Sequence, residues 1–382
     1  MSDQQSFLLI LTLLYLSECV CWARRGAALF RRAWTSRWQM ALHSGVLAND
    51  RGELHWLWPL PPLGTAHVLR APPFSLTPEG ILAGTTEVLP GQGRPRLSDR
   101  FLRWDEIKTV ETEHRRLLIN GERFWESDSP YQPLRWAKLI PQLAALEPAQ
   151  REPRLAVELA AAFDRAALER SRREFEEAAR PVRRFTNALF VLLFLAVPGA
   201  FWRFGLLPTL WPVLVALGLL VVLATRQFLK AHRRLHPEAG DERFRIGIVV
   251  ALAPFSAIRA VDALGRSALE RFHPLTGAFA LLPRAEAEEF ARRVWRDLRF
   301  PMQPEFPGGN ATASAAARWF RERELAAVER FLNSEDVDVG ALARPPKPTE
   351  AVNVRYCERC ESQFTTQGKA CADCGHRPLV DL

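Results

Sequence analysis

Lysine is almost missing from this chain: of 51 basic residues only five are lysine. The net charge of +8 therefore rests on arginine, a bias that a GC-rich genome produces by itself, so the high pI is weak ground for a nucleic-acid partner. The spacings that carry common chemistries are also missing. No Gly-x-x-x-x-Gly-Lys-Ser/Thr loop cradles phosphates, and no Gly-x-Gly-x-x-Gly follows a strand to hold a dinucleotide. Neither a Gly-x-Ser-x-Gly elbow nor a His-Glu-x-x-His helix is present. With no catalytic motif, the chain reads as noncatalytic. It also lacks a basic patch studded with aromatics, which ranks an anionic membrane above nucleic acid as the partner of its positive charge.

Cysteine is sparse too, with six in the chain, but four stand in two pairs near the C-terminus. Cys357-Glu-Arg-Cys360 and Cys371-Ala-Asp-Cys374 are separated by ten residues. Structural zinc takes four tetrahedral ligands, and two such pairs on facing turns supply four thiolates while leaving no position open for water or substrate. Gly375 suits the turn behind the second pair, because glycine reaches positive φ without steric cost. Arg355, Arg359, Lys369 and Arg377 would offset part of the negative charge of a tetrathiolate. His376 reads as a surface residue, since four cysteines already fill the site. The segment from Tyr356 to Pro378 resembles a rubredoxin-like zinc ribbon, which implies one structural zinc ion per chain. The competing reading makes each pair a redox dithiol, although no strand-helix pattern of thioredoxin type surrounds either.

Long apolar runs predict an integral membrane protein. Phe185–Phe201 and Leu206–Thr225 carry no charge and have the length a helix needs to cross about 30 Å of hydrocarbon. Arg180, Arg183 and Arg184 precede the first run, while Arg226, Lys230, Arg233 and Arg234 follow the second. By the positive-inside rule both flanks are cytoplasmic and the 202–207 connection is translocated. Trp202 and Trp211 sit where interfacial aromatics are expected. A third stretch, residues 6–23, ends before Arg24 and Arg25. It lacks the basic start and small-residue cleavage site of a signal peptide, so it reads as an uncleaved anchor. Together these predict three membrane helices in a bacterial inner (cytoplasmic) membrane, N-out and C-in. That orientation places the thiolates in a reducing compartment. Arg183, Arg184, Arg233 and Arg234 are candidate contacts for anionic lipid, each basic residue near the surface contributing about 1 kcal/mol.

The expected fold class is a multidomain α+β membrane protein. Residues 31–150 form a cytoplasmic β-rich domain with a terminal helix. From Phe74 onward short apolar runs alternate with turns, and Asn120-Gly121 between two such runs is a strong hairpin signal. Leu134, Ala137, Leu139, Ile140, Leu143 and Leu146 then repeat at helical spacing. Phe74-Ser-Leu-Thr-Pro-Glu-Gly-Ile, Trp104-Asp-Glu-Ile and Leu117-Leu-Ile-Asn-Gly121 resemble bacterial pleckstrin-homology-like domains, which implies a binding or assembly module. Residues 151–184 predict one amphipathic helix leading into a two-helix transmembrane hairpin over 185–229. Residues 241–301 predict a small α/β unit, with strands at Ile246–Leu252 and Leu275–Leu282 and helices at Pro254–Phe272 and from Pro283. A helix over 311–332, a flexible linker over 333–352 and the ribbon over 353–382 complete the chain.

His232 and His236 fall four apart on an expected helix, but no carboxylate stands at matching spacing. The function this organisation suggests is a scaffold that binds protein partners through its cytoplasmic domains and a tethered ribbon. A membrane-bound thiol oxidoreductase or enzyme subunit is the alternative, and a membrane-tethered nucleic-acid binder ranks third.

Overall fold

The computed structural model describes residues 2–13, 53–57, 66–70, 74–87, 96–114, 116–126, 131–252, 264, 268, 271–281, 283–301, 311–365, 369–371, 374 and 377–382. Its chain mixes small antiparallel sheets with long helices. An N-terminal helix, α1, covers residues 3–13, and the remainder of the expected anchor, with Cys19 and Cys21, lies outside the described residues. The ring of Phe7 packs at 4.6 Å on that of Phe201.

The β-rich region follows its turn chemistry. A hairpin of β1 (Glu53–Leu57) and β2 (Ala66–Arg70) precedes two three-stranded meanders. The first contains β3 (Phe74–Leu76), β4 (Gly80–Glu87) and β5 (Arg96–Arg103); the second contains β6 (Val110–Glu113), β7 (Arg116–Ile119) and β8 (Glu122–Glu126). Gly80 is required where β4 begins, because a Cβ there would stand 2.2 Å from the Leu102 carbonyl oxygen. A 3₁₀ turn, Trp104–Glu106, joins the meanders, and the Glu106 carboxylate accepts from the Arg103 amide at 2.9 Å. The β7–β8 turn has positive φ at both Asn120 (55°) and Gly121 (78°), the conformation that Asn-Gly favours.

Helix α2 (Tyr131–Ala144) closes this region, followed by α3 (Pro148–Ala161) and α4 (Arg165–Val191). The single amphipathic helix expected over 151–184 is therefore two. Chain break and restart occur at Asp164, whose carboxylate accepts from the Ala167 amide at 2.8 Å and caps α4. α4 continues through a π turn, Leu192–Ala196, into α5 (Val197–Phe204). Gly205, at φ 84°, reverses the chain into α6 (Leu206–Leu235). Among the described residues one helix is long and apolar enough to cross a membrane, Pro208–Leu235, which contains an 18-residue stretch of mean hydropathy 2.1. The other expected hairpin arm is shared between α4, the π turn and α5 rather than forming one regular α-helix.

The expected α/β unit is helical where it is described. α7 (Gly240–Leu252) and α8 (Pro274–Leu281) occupy the two stretches read as strands. A short continuous apolar run fits a buried helix as well as a buried strand, and helical neighbours decide here. Pro274 opens α8, as proline at a first helical position does, and Leu275, Thr276, Ala278 and Phe279 are all buried. Of the helix expected over Pro254–Phe272, most lies outside the described residues.

α9 (Arg284–Arg299), α10 (Ala311–Ser334) and α11 (Val339–Ala343) follow. α10 unites what the sequence separates. Its Phe320 and Ala327 join the core of the β-rich region with Trp104, Trp125, Trp136, Leu155 and Leu159. Its Val328, Phe331 and Leu332 join a second core with Leu275, Val294, Trp295, Leu298 and Leu342. A third core packs Tyr131 and Phe175 with Phe228 and Ala231 of α6.

Candidate metal centre

The C-terminal segment builds its site on very short strands. β9 (Arg355–Tyr356) pairs antiparallel with β10 (Gln363–Phe364) and with β13 (Val380–Asp381), while β11 (Ala370–Cys371) pairs with β12 (Arg377–Pro378). A tight turn forms the first cysteine knuckle: the Glu361 amide donates to the Cys357 carbonyl at 2.9 Å, and the Cys357 amide to the Ser362 carbonyl at 3.0 Å. Glu361 takes φ 60°, a left-handed position that disfavours side chains bearing Cβ. Gly375, which follows the second pair, lies outside the described residues, as does His376.

Cys357, Cys360, Cys371 and Cys374 place their four sulfurs within 4.8 Å of one another. Cys360 and Cys371 Sγ are 3.7 Å apart. Tetrahedral zinc at about 2.3 Å from each sulfur sets sulfurs about 3.8 Å apart, so the donor set fits such an ion. Three of the four are buried and Cys360 is exposed. Burial pushes the Cys371 and Cys374 thiols up, and neighbouring cysteines add to the shift. Burial also acts to raise Cys360, but hydrogen bonds with Ser362, Cys374 and Cys357 together outweigh it and lower that thiol to about 7. Four sulfurs this close resist joint ionisation unless a cation stands among them. Beyond the cysteines, the described residues that pack against this cluster are Phe364 and Leu379, a small core for an independent fold.

The ribbon is held against α9. Arg296, 1% exposed, donates through Nη1 to the Glu358 carbonyl at 2.6 Å and through Nη2 to the Arg344 carbonyl at 2.7 Å. Its Nε stands 3.1 Å from Glu361 Oε1, an ion pair whose angle is too poor for a hydrogen bond. Arg292 donates to the same oxygen at 3.2 Å, and Arg359 pairs with Asp297 at 3.1 Å. Arg377 pairs with Glu358 at 3.3 Å and covers the Phe300 ring at 4.9 Å. Arg359 and Arg377, expected to offset thiolate charge, thus join the ribbon to the helical body.

The expected flexible linker is ordered where it meets the body. Val337 and Leu342 are buried, and α11 lies within it. Gln363 accepts from the Thr349 amide at 2.8 Å and donates to the Lys347 carbonyl at 2.7 Å, tying the proline-rich stretch to the ribbon. Arg296 gave no signal in the sequence, since it reads as one more arginine on a charged amphipathic helix. Only its place among Val294, Trp295 and Leu298 marks it as inward-facing.

The other candidate residues stay apart from this centre. His232 is buried beside Phe228 and Tyr131, and His236 stacks on Tyr131 at 3.9 Å. Among the described residues the cysteine set is the one group of three or more ligand-type residues close enough to hold a metal. Arg184 and Arg233 are exposed, Arg234 pairs with Glu177 at 2.8 Å, and the Arg183 side chain lies outside the described set. Comparison with known proteins finds no matching family model, no matching curated protein and no matching solved structure.

Proposed function

We propose that this chain is a noncatalytic scaffold of the bacterial cytoplasmic membrane, anchored by α1 and the α4–α6 hairpin, with a structural zinc ion in its C-terminal ribbon. One observation carries the membrane reading. Trp202, Phe204, Trp211, Val215, Leu219 and Val222 are all at least 60% exposed along the hairpin. An apolar surface that extensive is rare on a soluble monomer and is at home in lipid. Leu9, Ile10 and Leu13 of α1 are exposed in the same way. The Phe7–Phe201 contact supports the N-out, C-in orientation, because it sets the N-terminal end of α1 beside the hairpin turn that the arginine distribution sends across the membrane.

The zinc ion closes a four-cysteine site and leaves no ligand position for substrate, which suits a structural part. Because α9 grips the ribbon, the partner-binding surface would be a fixed composite of ribbon and helices rather than a ribbon searching on a tether. The two meanders followed by α2 have the element order of a pleckstrin-homology-like module, and we assign residues 74–146 a binding role on that ground. The exposure of Cys360 alone among the four favours thiol redox chemistry as the second reading.

Elemental mass spectrometry of detergent-purified full chain, without added metal, separates the two. About one zinc per chain supports the scaffold reading, whereas folded protein near zero zinc gives way to the dithiol reading. Alkaline extraction of membranes tests the anchor in the same preparation: release of the full chain into the soluble fraction would refute it.

A further inference from the structure

α7 replaces an expected strand, and its position has a consequence for the membrane boundary. Four residues, 236–239, connect it to α6, so the two helices run antiparallel. Gly247 marks their register: a Cβ there would stand 2.8 Å from Leu229 Cδ2. Leu229 lies six residues before the end of α6 and Gly247 seven after the start of α7, as two helices folded back on each other require. At about 1.5 Å per residue, the five residues from Gly247 to Leu252 carry α7 roughly 7.5 Å further back, beside about residue 224 of α6. That level belongs to the apolar run that ends at Thr225.

The outer side of α7 is apolar where it has no reason to be in water. Phe244 is 71% exposed and Ile248, one turn on, is 43% exposed. Ala251 continues the same stripe and is exposed. Its opposite side is fixed, with Ile246 against the core that holds Phe228 and Ala231. The first turn is clamped from the β-rich region by a contact of 2.7 Å between His114 Nδ1 and Glu242 Oε1. The exposed stripe therefore does not rotate inward. Along the α6 axis it runs past the level of the exposed Arg226 and toward that of the exposed Leu219 and Val222.

We infer that α7 enters the membrane boundary beside α6, its Phe244, Ile248 and Ala251 edge running from the head groups toward the acyl chains of the cytoplasmic leaflet. The inference rests on the membrane reading given above. An apolar stripe exposed beside a membrane-spanning helix, at the level where that helix leaves the hydrocarbon, is at home at that boundary, with Arg245 at the margin able to extend its charge to the head groups. The helix would set the depth and tilt of the cytoplasmic body on the bilayer, through the His114 clamp.

The test places the photoreactive residue benzoylphenylalanine singly at positions 244, 248, 219 and 157 of the full chain. Each variant is reconstituted in vesicles of one zwitterionic and one anionic phospholipid, irradiated, and weighed by mass spectrometry. Position 219 reports the hairpin, and position 157, where Val157 is 58% exposed on α3, reports an apolar side chain away from it. Lipid adducts at 244 and 248 at least several-fold above those at 157 are expected. Adducts at 219 but none above the level of 157 at 244 and 248 would overturn the placement of α7 in the membrane boundary and leave the membrane reading standing. Absence of adducts at 219 would overturn both. Protein cross-links in place of lipid adducts at 244 and 248 would overturn the inference by assigning the stripe to a second chain.

Discussion

Arg296 donates a hydrogen bond of 2.6 Å to the backbone carbonyl of Glu358, the residue that follows the first metal-site cysteine. A side chain of the helical body thus reaches the backbone of the cysteine knuckle itself. This contact makes the position of the ribbon a property of the whole cytoplasmic body.

Replacing Arg296 with Met should release the ribbon without emptying it. The change leaves the Glu358 and Arg344 carbonyls unmet and removes one of the two cations at Glu361, a loss of about 2–4 kcal/mol. Faster cleavage after the exposed Glu350 by a glutamate-specific protease, at unchanged zinc per chain, is the expected result.

Cys371→Ser should have the opposite pattern. Removing one of four ligands lowers metal content, and a ribbon whose core holds little besides its cysteines loses its fold with the ion. The remaining chain should keep its cooperative melting, so the expected readout is loss of zinc and proteolysis confined to residues beyond about 350. Chelation of the unsubstituted protein should reproduce both effects.

Asn120→Ala should destabilise the β-rich region by about 2 kcal/mol. The Asn120 Oδ1 accepts from the Lys108 and Thr109 amides at 2.7 and 3.2 Å, and Nδ2 donates to the Glu106 carbonyl at 2.8 Å, while the backbone holds φ 55°. Alanine removes these bonds and carries a left-handed penalty. Thermal unfolding should show a lower Tm, with Asn120→Gly intermediate because glycine recovers the φ cost alone.

Acid should act on the α6–α7 connection through His236. Burial first, and the neighbouring His232 second, lower its pKa to about 4. A folded-state value below the unfolded 6.5 means that the unfolded chain binds the proton more readily. This contribution is therefore intact above pH 6.5 and lost as pH falls toward 4, amounting to at most about 3 kcal/mol. Unfolding in detergent measured between pH 7 and 4 should lose stability less steeply in His236→Phe, which preserves the stack on Tyr131.

Sequence patterning determined the local pieces whose chemistry is self-contained. Cys-x-x-Cys twice at short spacing singled out the four sulfurs that the fold gathers within 4.8 Å, because each pair sits on one tight turn and two such turns can face each other. Asn120-Gly121 fixed its hairpin and the Leu134–Leu146 periodicity fixed α2, since each depends on neighbours within a few residues. The Leu206–Thr225 run fixed a long apolar helix for the same reason. Strand against helix at Ile246–Leu252 and Leu275–Leu282 was left to tertiary structure, because a continuous apolar run has no periodic polar face to declare its geometry. The same limit hid the role of α10, which joins two cores through opposite parts of one helix, and that of Arg296. A charge on an amphipathic helix reads as solvated until the three-dimensional fold brings two carbonyls and a carboxylate around it, and only that gathering turned an expected free tether into a docked ribbon.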